Sequence, residues 1–189
     1  VVGVSRGILD VHLAHGLFAH LPQARRYVIW NPVASGARVA PEPRAADAPL
    51  TLGFIGRLVP EKGLWTLLDA CRRLPPQGWR LRIAGRVPGG DDAEIRRRCA
   101  GLPVELEGFV EPAAFFAGID LLVVPPIWRE PFGLTAVEAY AAGVPVLGAD
   151  IGGVADIVGS VDPAALFPPG DAAAQAERQQ AENTRGRGA

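Results

Sequence analysis

Nothing in the 189-residue chain is long and apolar enough to cross a membrane: no apolar run reaches the roughly 18 residues that a spanning helix needs. The first residues also lack the basic segment followed by an apolar one that marks a secretory leader, and they begin with Val1 instead of methionine. A fragment of a longer cytoplasmic protein is expected, with peripheral attachment to a membrane surface left open. Cysteine is scarce. Cys71 and Cys99 are the only two, each inside an expected helix, which excludes a disulfide scaffold and fits reduced thiols. Neither sign of charge dominates: 19 Lys and Arg against 20 Asp and Glu leave a net charge of −1, which argues against nucleic acid as the main partner. There is no G-x-G-x-x-G dinucleotide fingerprint, no Walker loop and no Asp-x-Asp pair. His12, His15 and His20 lie close together near the start, but surface or core histidines are the preferred reading and no metal is expected. What is left, 49% of it hydrophobic, suffices for the core of one globular domain, or of one domain plus a piece.

The residues that are present centre on one stretch, Trp128 to Ala149, WREPFGLTAVEAYAAGVPVLGA. It follows an apolar run, Leu121 to Val124, that reads as a buried parallel strand, and it contains a second short run, Val144 to Leu147. Strand, loop, helix and strand make a βαβ unit, whose ligand lies at the carboxyl end of the first strand beside the helix N-terminus. Free N–H groups and the helix dipole suit phosphate there. Gly133 lets the backbone approach the ligand, between Phe132 on one side and Leu134 and Thr135 on the other. Two carboxylates flank this turn. Glu130 precedes the helix, and Glu138 lies one turn inside it on the face of Thr135. Neither can touch phosphate without repulsion, yet each can accept hydrogen bonds from hydroxyls, worth roughly 1.5–3 kcal/mol apiece. A ligand with phosphate in its middle and hydroxyls at both ends meets these demands, as a nucleoside diphosphate sugar does. The alternative is a solvent-facing loop glutamate and an ordinary helical one.

Along the chain, Val1 to Val4 reads as a strand, followed by a helix capped by Ser5 with apolar positions Ile8, Val11, Leu13, Leu17 and Phe18, then a strand from Tyr27 to Trp30. The proline-containing, small-residue segment 31–48 reads as a linker. A new domain then opens with a strand, Leu50 to Ile55, the loop Gly56 to Gly63 and a helix from about Leu64 to Leu74. That loop offers two cations, Arg57 and Lys62; Lys62 opposes the dipole of the helix it precedes, a conflict that hints at function. The alternative is a pair with Glu61 or plain solvation. Further on come a strand Trp79 to Ala84, a basic helix Ala93 to Ala100, a short strand Val104 to Leu106 and a helix Pro112 to Gly118 that packs Phe115 and Phe116. After Asp171 the composition turns rich in Ala, Gln, Glu and Arg. A helix over Ala172 to Glu182 and disorder from Asn183 to Ala189 are expected.

The segment E-P-F-G-L-T-A-V-E-A-Y-A-A-G-V-P-V, Glu130 to Val146, resembles the E-x7-E donor-site motif of the retaining glycosyltransferases of family 4 (group 1, GT-B fold). Gly56 to Gly63, GRLVPEKG, is similar to the family's G-R-x3-E-K-G loop, and Gly108-Phe109-Val110, Ile151 to Val158 and Leu166 to Asp171 follow in the family's order. The resemblance implies an α/β fold, a doubly wound Rossmann-like parallel sheet with helices on both faces. It divides the chain into a remnant of an N-terminal acceptor domain at 1–30, the linker, a donor-binding domain at 49–171 and a tail at 172–189. It also implies that Arg57 and Lys62 hold the donor diphosphate and that Glu130 takes hydroxyls of the transferred sugar. Glu138 would take the ribose. Gly56, Phe132, Gly133, Leu134 and Thr135 would lie against the donor, with Val110 beside the base. The donor substrate would be a nucleoside-diphosphate sugar, with no cofactor and no metal. The acceptor is unknown and would be held by the largely absent N-terminal domain, so this chain alone is expected not to transfer sugar. A non-catalytic nucleotide-binding remnant and a GT-B-type sugar-nucleotide epimerase are the alternatives.

Overall fold

The computed structural model describes residues 1–33 and 48–185, so most of the expected linker lies outside the described residues. The chain begins with β1 (Val2–Gly3), α1 (Arg6–Ala14) and β2 (Tyr27–Val28), with β1 and β2 paired in parallel. Ser5 caps α1 as expected, its hydroxyl accepting from Ile8 N–H at 3.1 Å. The helix is shorter than its apolar spacing suggested. It stops at Ala14, Gly16 turns the chain at φ 77°, and Leu17 and Phe18 lie beyond the helix and outside the core. His12 and His15 set their Nδ1 atoms against the carbonyls of Ile8 and Val11, one turn back.

Twelve further helices and strands alternate through the rest of the described residues. They begin with β3 (Leu50–Ile55), α2 (Leu64–Cys71), β4 (Trp79–Ala84), α3 (Ala93–Cys99), β5 (Val104–Gly108), α4 (Pro112–Ala117), β6 (Leu121–Val124) and α5 (Leu134–Ala141). Then come β7 (Val146–Ala149), α6 (Gly152–Val161), β8 (Leu166–Phe167) and α7 (Ala172–Arg185). Strands β3, β4 and β6 fall where the sequence reading places them. The strand expected over Val144 to Leu147 begins two residues later, because Val144 N–H still closes the end of α5 on Ala139 O and Pro145 has no N–H to donate. Helix α2 stops before Leu74, where i→i+3 bonds take over. At the other end, Asn183 to Arg185 continue α7 where disorder was expected; residues 186–189 lie outside the described residues.

All pairings within the six-stranded sheet are parallel, in the order β5-β4-β3-β6-β7-β8. The strands therefore run outward from β3 in one direction through β4 and β5, then return to its other side with β6. Such a doubly wound sheet opens a crevice at the carboxyl ends of the two strands where the order reverses, here β3 and β6. The central strands β3, β6 and β7 are buried on both faces, as parallel strands between helix layers are, while β4 leaves Arg80 exposed and β5 is only partly covered. Leu52, Leu81, Ile83 and Leu122 are fully enclosed, α2 adds Leu64, Leu67 and Leu68, and Phe115 and Phe116 meet edge-on at 6.2 Å inside the core. Each such apolar side chain contributes about 2 kcal/mol through burial. Cys71 and Cys99 are buried free thiols, and burial pushes Cys71 up to about 12.

Candidate functional site

Two loops meet in the crevice. After β3 the chain runs through Gly56 and Arg57 into a single 3-10 turn, Pro60–Lys62, and Gly63 then opens α2 in the left-handed region at φ 74°. A side chain on Gly63 would be strained there and would also collide with the Pro125 carbonyl, so only glycine lets this loop lie against the one after β6. Ile127 N–H donates to Glu61 O at 3.0 Å across the same contact. On the other flank, Gly56 N–H donates to Ala84 O at 3.0 Å and Leu58 N–H to Arg86 O at 3.0 Å, which aligns the loop after β3 with the one after β4.

The loop from β6 to α5 is fixed from below. Gly152 and Gly153 begin α6 with no side chains because their Cα positions sit directly on the backbone of Arg129 to Phe132. Gly153 N–H donates to Glu130 O at 2.7 Å. Ser5 Oγ, from the N-terminal segment, donates to Pro131 O at 2.6 Å, and Gly7 N–H donates to Asp156 Oδ2 at 3.0 Å on α6. The backbone of Glu130 and Pro131 is thus held by α6 and by the residue that caps α1.

This frame brings together residues sixty-eight positions apart. Lys62 Nζ donates to Glu130 Oε2 at 2.6 Å, with both side chains largely enclosed. The pair for Lys62 is therefore Glu130 and not the neighbouring Glu61. Trp128 Nε1 donates to the same oxygen at 3.1 Å. Arg57 is exposed, and its side chain has no hydrogen bond or ion pair among the described residues. An ammonium has three N–H groups, so Lys62 retains two for a ligand. With Lys62 and Glu130 neutralising each other, Arg57 leaves the site with an excess of one positive charge.

Between the loops lies a cavity of about 140 Å³. Gly56, Arg57, Lys62, Glu130, Gly133 and Thr135 line it, together with the ends of β3 and β6. Gly133 enters α5 at φ 97°, a conformation that favours glycine. The other expected residues lie outside this cavity. Phe132 turns its ring into the core, so only its backbone can face a ligand; Leu134 is exposed; Val110 packs against the core. Glu138 sits further along α5, and burial raises its carboxyl above the usual range. A second cavity, of about 240 Å³, lies at the ends of β4 and β5, where Gly85, Arg86 and Gly108 line it. Sequence reasoning missed Trp128 and the apolar rim of Phe54, Pro125 and Pro126; the position of Trp128, two residues before Glu130, was the available signal.

Residues 49–181 match the family model described as glycosyl transferases group 1. The chain is 35% identical over 129 residues to a 2-deoxystreptamine glucosyltransferase of Streptomyces kanamyceticus, covering 65% of this chain and 33% of that protein. To a phosphatidyl-myo-inositol mannosyltransferase of Mycobacterium leprae it is 33% identical over 153 residues, covering 77% and 39%. Among solved structures, Alr3699/HepE of Anabaena, determined with UDP and glucose, superposes with a TM-score of 0.79 at 23% identity, covering 98% of this chain and 54% of that one. That likeness is one of fold. The chain spans well under half the length of these two curated relatives. With the family model covering most of its length, and with its six-stranded parallel sheet, this chain belongs to the group 1 glycosyl transferases.

Proposed function

We propose that this chain is the donor-binding part of a retaining glycosyltransferase of family 4, and that the cavity between the β3 and β6 loops takes the diphosphate and sugar of a nucleoside-diphosphate sugar. The observation that carries this reading is the convergence of Arg57, Lys62 and Glu130, from two separate loops, on the N-terminus of α5 at the crevice of the sheet. Breaking the bond between sugar and phosphate builds charge on the departing diphosphate. Fixed cations and the free N–H groups of Gly133 to Thr135 stabilise that charge more than they stabilise the intact donor. Glu130 then takes sugar hydroxyls, Glu138 the ribose, and Val110 and its neighbours the base. Two side-chain cations do the work that a bound metal does elsewhere, so no metal or cofactor is called for.

Among the described residues Glu130 is the one carboxylate that lines the cavity, and its pairing with Lys62 and with the sugar leaves it no role as a general base. A retaining reaction on one face of the sugar needs none, because the leaving phosphate can accept the proton of the attacking hydroxyl. The acceptor would be held by an N-terminal domain of which residues 1–30 are the end, with 49–171 as the donor domain, in a cytoplasmic enzyme. On this reading the chain binds donor but does not transfer sugar by itself.

Calorimetric titration with UDP, GDP and ADP tests the proposal. One diphosphate should bind, and the double variant Arg57→Ala/Lys62→Ala should lose it by tenfold or more, as expected for removing charge-assisted hydrogen bonds. Equal binding by wild type and variant would sink the reading.

A further inference from the structure

Trp128 has no part in the donor reading above. It is 39% exposed and does not line the cavity. Its polar end is nevertheless spent on a carboxylate. Trp128 Nε1 donates to Glu130 Oε2 at 3.1 Å, the same oxygen that receives Lys62 Nζ at 2.6 Å. The Lys62 ammonium lies 5.9 Å from the centroid of that indole ring, within the range of a cation–π contact. The backbone enforces this grouping, since Glu130 N–H donates to Trp128 O at 2.9 Å and closes a three-residue turn.

We propose that Trp128 is a positioning residue, an inference that rests on the donor reading: its indole N–H, together with Lys62, saturates Oε2 of Glu130 and presents Oε1 as the acceptor for a sugar hydroxyl. Oε1 has no hydrogen-bond partner among the described residues, while Oε2 has two donors. Once a diphosphate takes the two remaining N–H groups of Lys62, that ammonium is shared between two anions and its hold on Glu130 weakens. The indole N–H carries no charge to be drawn away, and the turn at 128–130 keeps it in place. Trp128 therefore acts on the sugar and not on the diphosphate.

The separation of those two contributions is the test. UDP, GDP and ADP, and the glucose, galactose, mannose and N-acetylglucosamine esters of whichever binds, are titrated by calorimetry into the chain and into Trp128→Phe and Trp128→Ala. Phenylalanine keeps a ring against Lys62 and removes only the donor, so it remains informative if the alanine variant fails to fold. The expected result is an unchanged Kd for the free diphosphate and a roughly tenfold loss of the extra affinity conferred by the sugar, the size of a hydrogen bond to a charged group. A phenylalanine variant that keeps the full sugar increment overturns the inference. So does one that weakens diphosphate and ester equally, which a merely structural role would produce. A wild-type chain that binds diphosphate but gains nothing from any sugar overturns it as well. A wild-type chain that binds no diphosphate removes the donor reading itself.

Discussion

Helix α6 buries Val154, Ile157 and Val158 and opens on two glycines fitted to the backbone of the Glu130 loop, whereas α7, the next helix, turns Gln175 and Gln179 inward. Both glutamines are almost fully enclosed, and their amide N and O atoms have no partner among the described residues; Asn183 Oδ1, four residues further on, is in the same position. A buried amide group left without a partner costs about 1–3 kcal/mol. Helix α7 does have a good start, with Asp171 Oδ1 accepting from Ala173 and Ala174 N–H at 3.0 Å. Its packing against α2 and β8, however, sets polar groups where α6 sets aliphatic ones. The element that supports the site is bound by apolar packing and backbone hydrogen bonds. The other packs on α2 and β8 with buried amides that lack partners among the described residues.

Four variants or measurements break or sharpen that contrast. Ile157→Ala in α6 should cost about 3 kcal/mol in denaturant unfolding, since it empties a fully buried aliphatic position. Gly153→Ala should cost about 2 kcal/mol by overpacking against the Phe132 backbone, and should weaken diphosphate binding because the loop it displaces carries Glu130. If its binding is untouched, α6 does not set the site. In α7 the sign reverses. Gln179→Leu should stabilise the fold by about 1 kcal/mol, and amide exchange in α7 should precede exchange in α6. A loss of stability on that substitution would mean the buried amides are satisfied in solution.

The smallest effect concerns pH. Burial raises the Glu138 carboxyl above its ordinary 4.5, so the folded chain holds this proton more tightly than the unfolded one. The resulting stability is fully present below the unfolded value and is lost as pH climbs from about 4.5 through the raised folded value. Glu138→Gln should show a matching stability at acid pH and a slightly higher one at neutral pH. Urea midpoints measured across that window check it, and parallel curves for the two proteins would contradict it.

Much of the fold was legible in the chain. β3 and β6 coincide with largely apolar runs, since strands buried on both faces have little room for polar side chains, whereas β4, WRLRIA, alternates and leaves Arg80 exposed. The errors fell where local pattern and local hydrogen bonding disagree. Leu17 and Phe18 continue a helical spacing past the glycine that ends the helix, and Val144 is apolar yet still belongs to the end of α5. Asn183 to Arg185 look too polar to be ordered, but they extend a helix already capped and docked upstream.

At the candidate site, the residue types were readable but not their partners. The two glutamates, the two cations and Gly133 stand out through the resemblance of their segments to the family's motifs, while their spacing alone leaves solvent-facing alternatives open. That Lys62 meets Glu130, and that Trp128 shares the same oxygen, is set by a backbone contact between Gly63 and Pro125 that closes two loops sixty-odd residues apart. The sequence by itself determined the strands, their parallel alternation with helices and the kinds of side chain gathered at strand ends, because these follow from hydrophobic period and local backbone preference. Only the tertiary structure decided which charges neutralise each other and which remains to meet a ligand. Those outcomes depend on distances of a few ångströms between segments that the order of residues does not bring together.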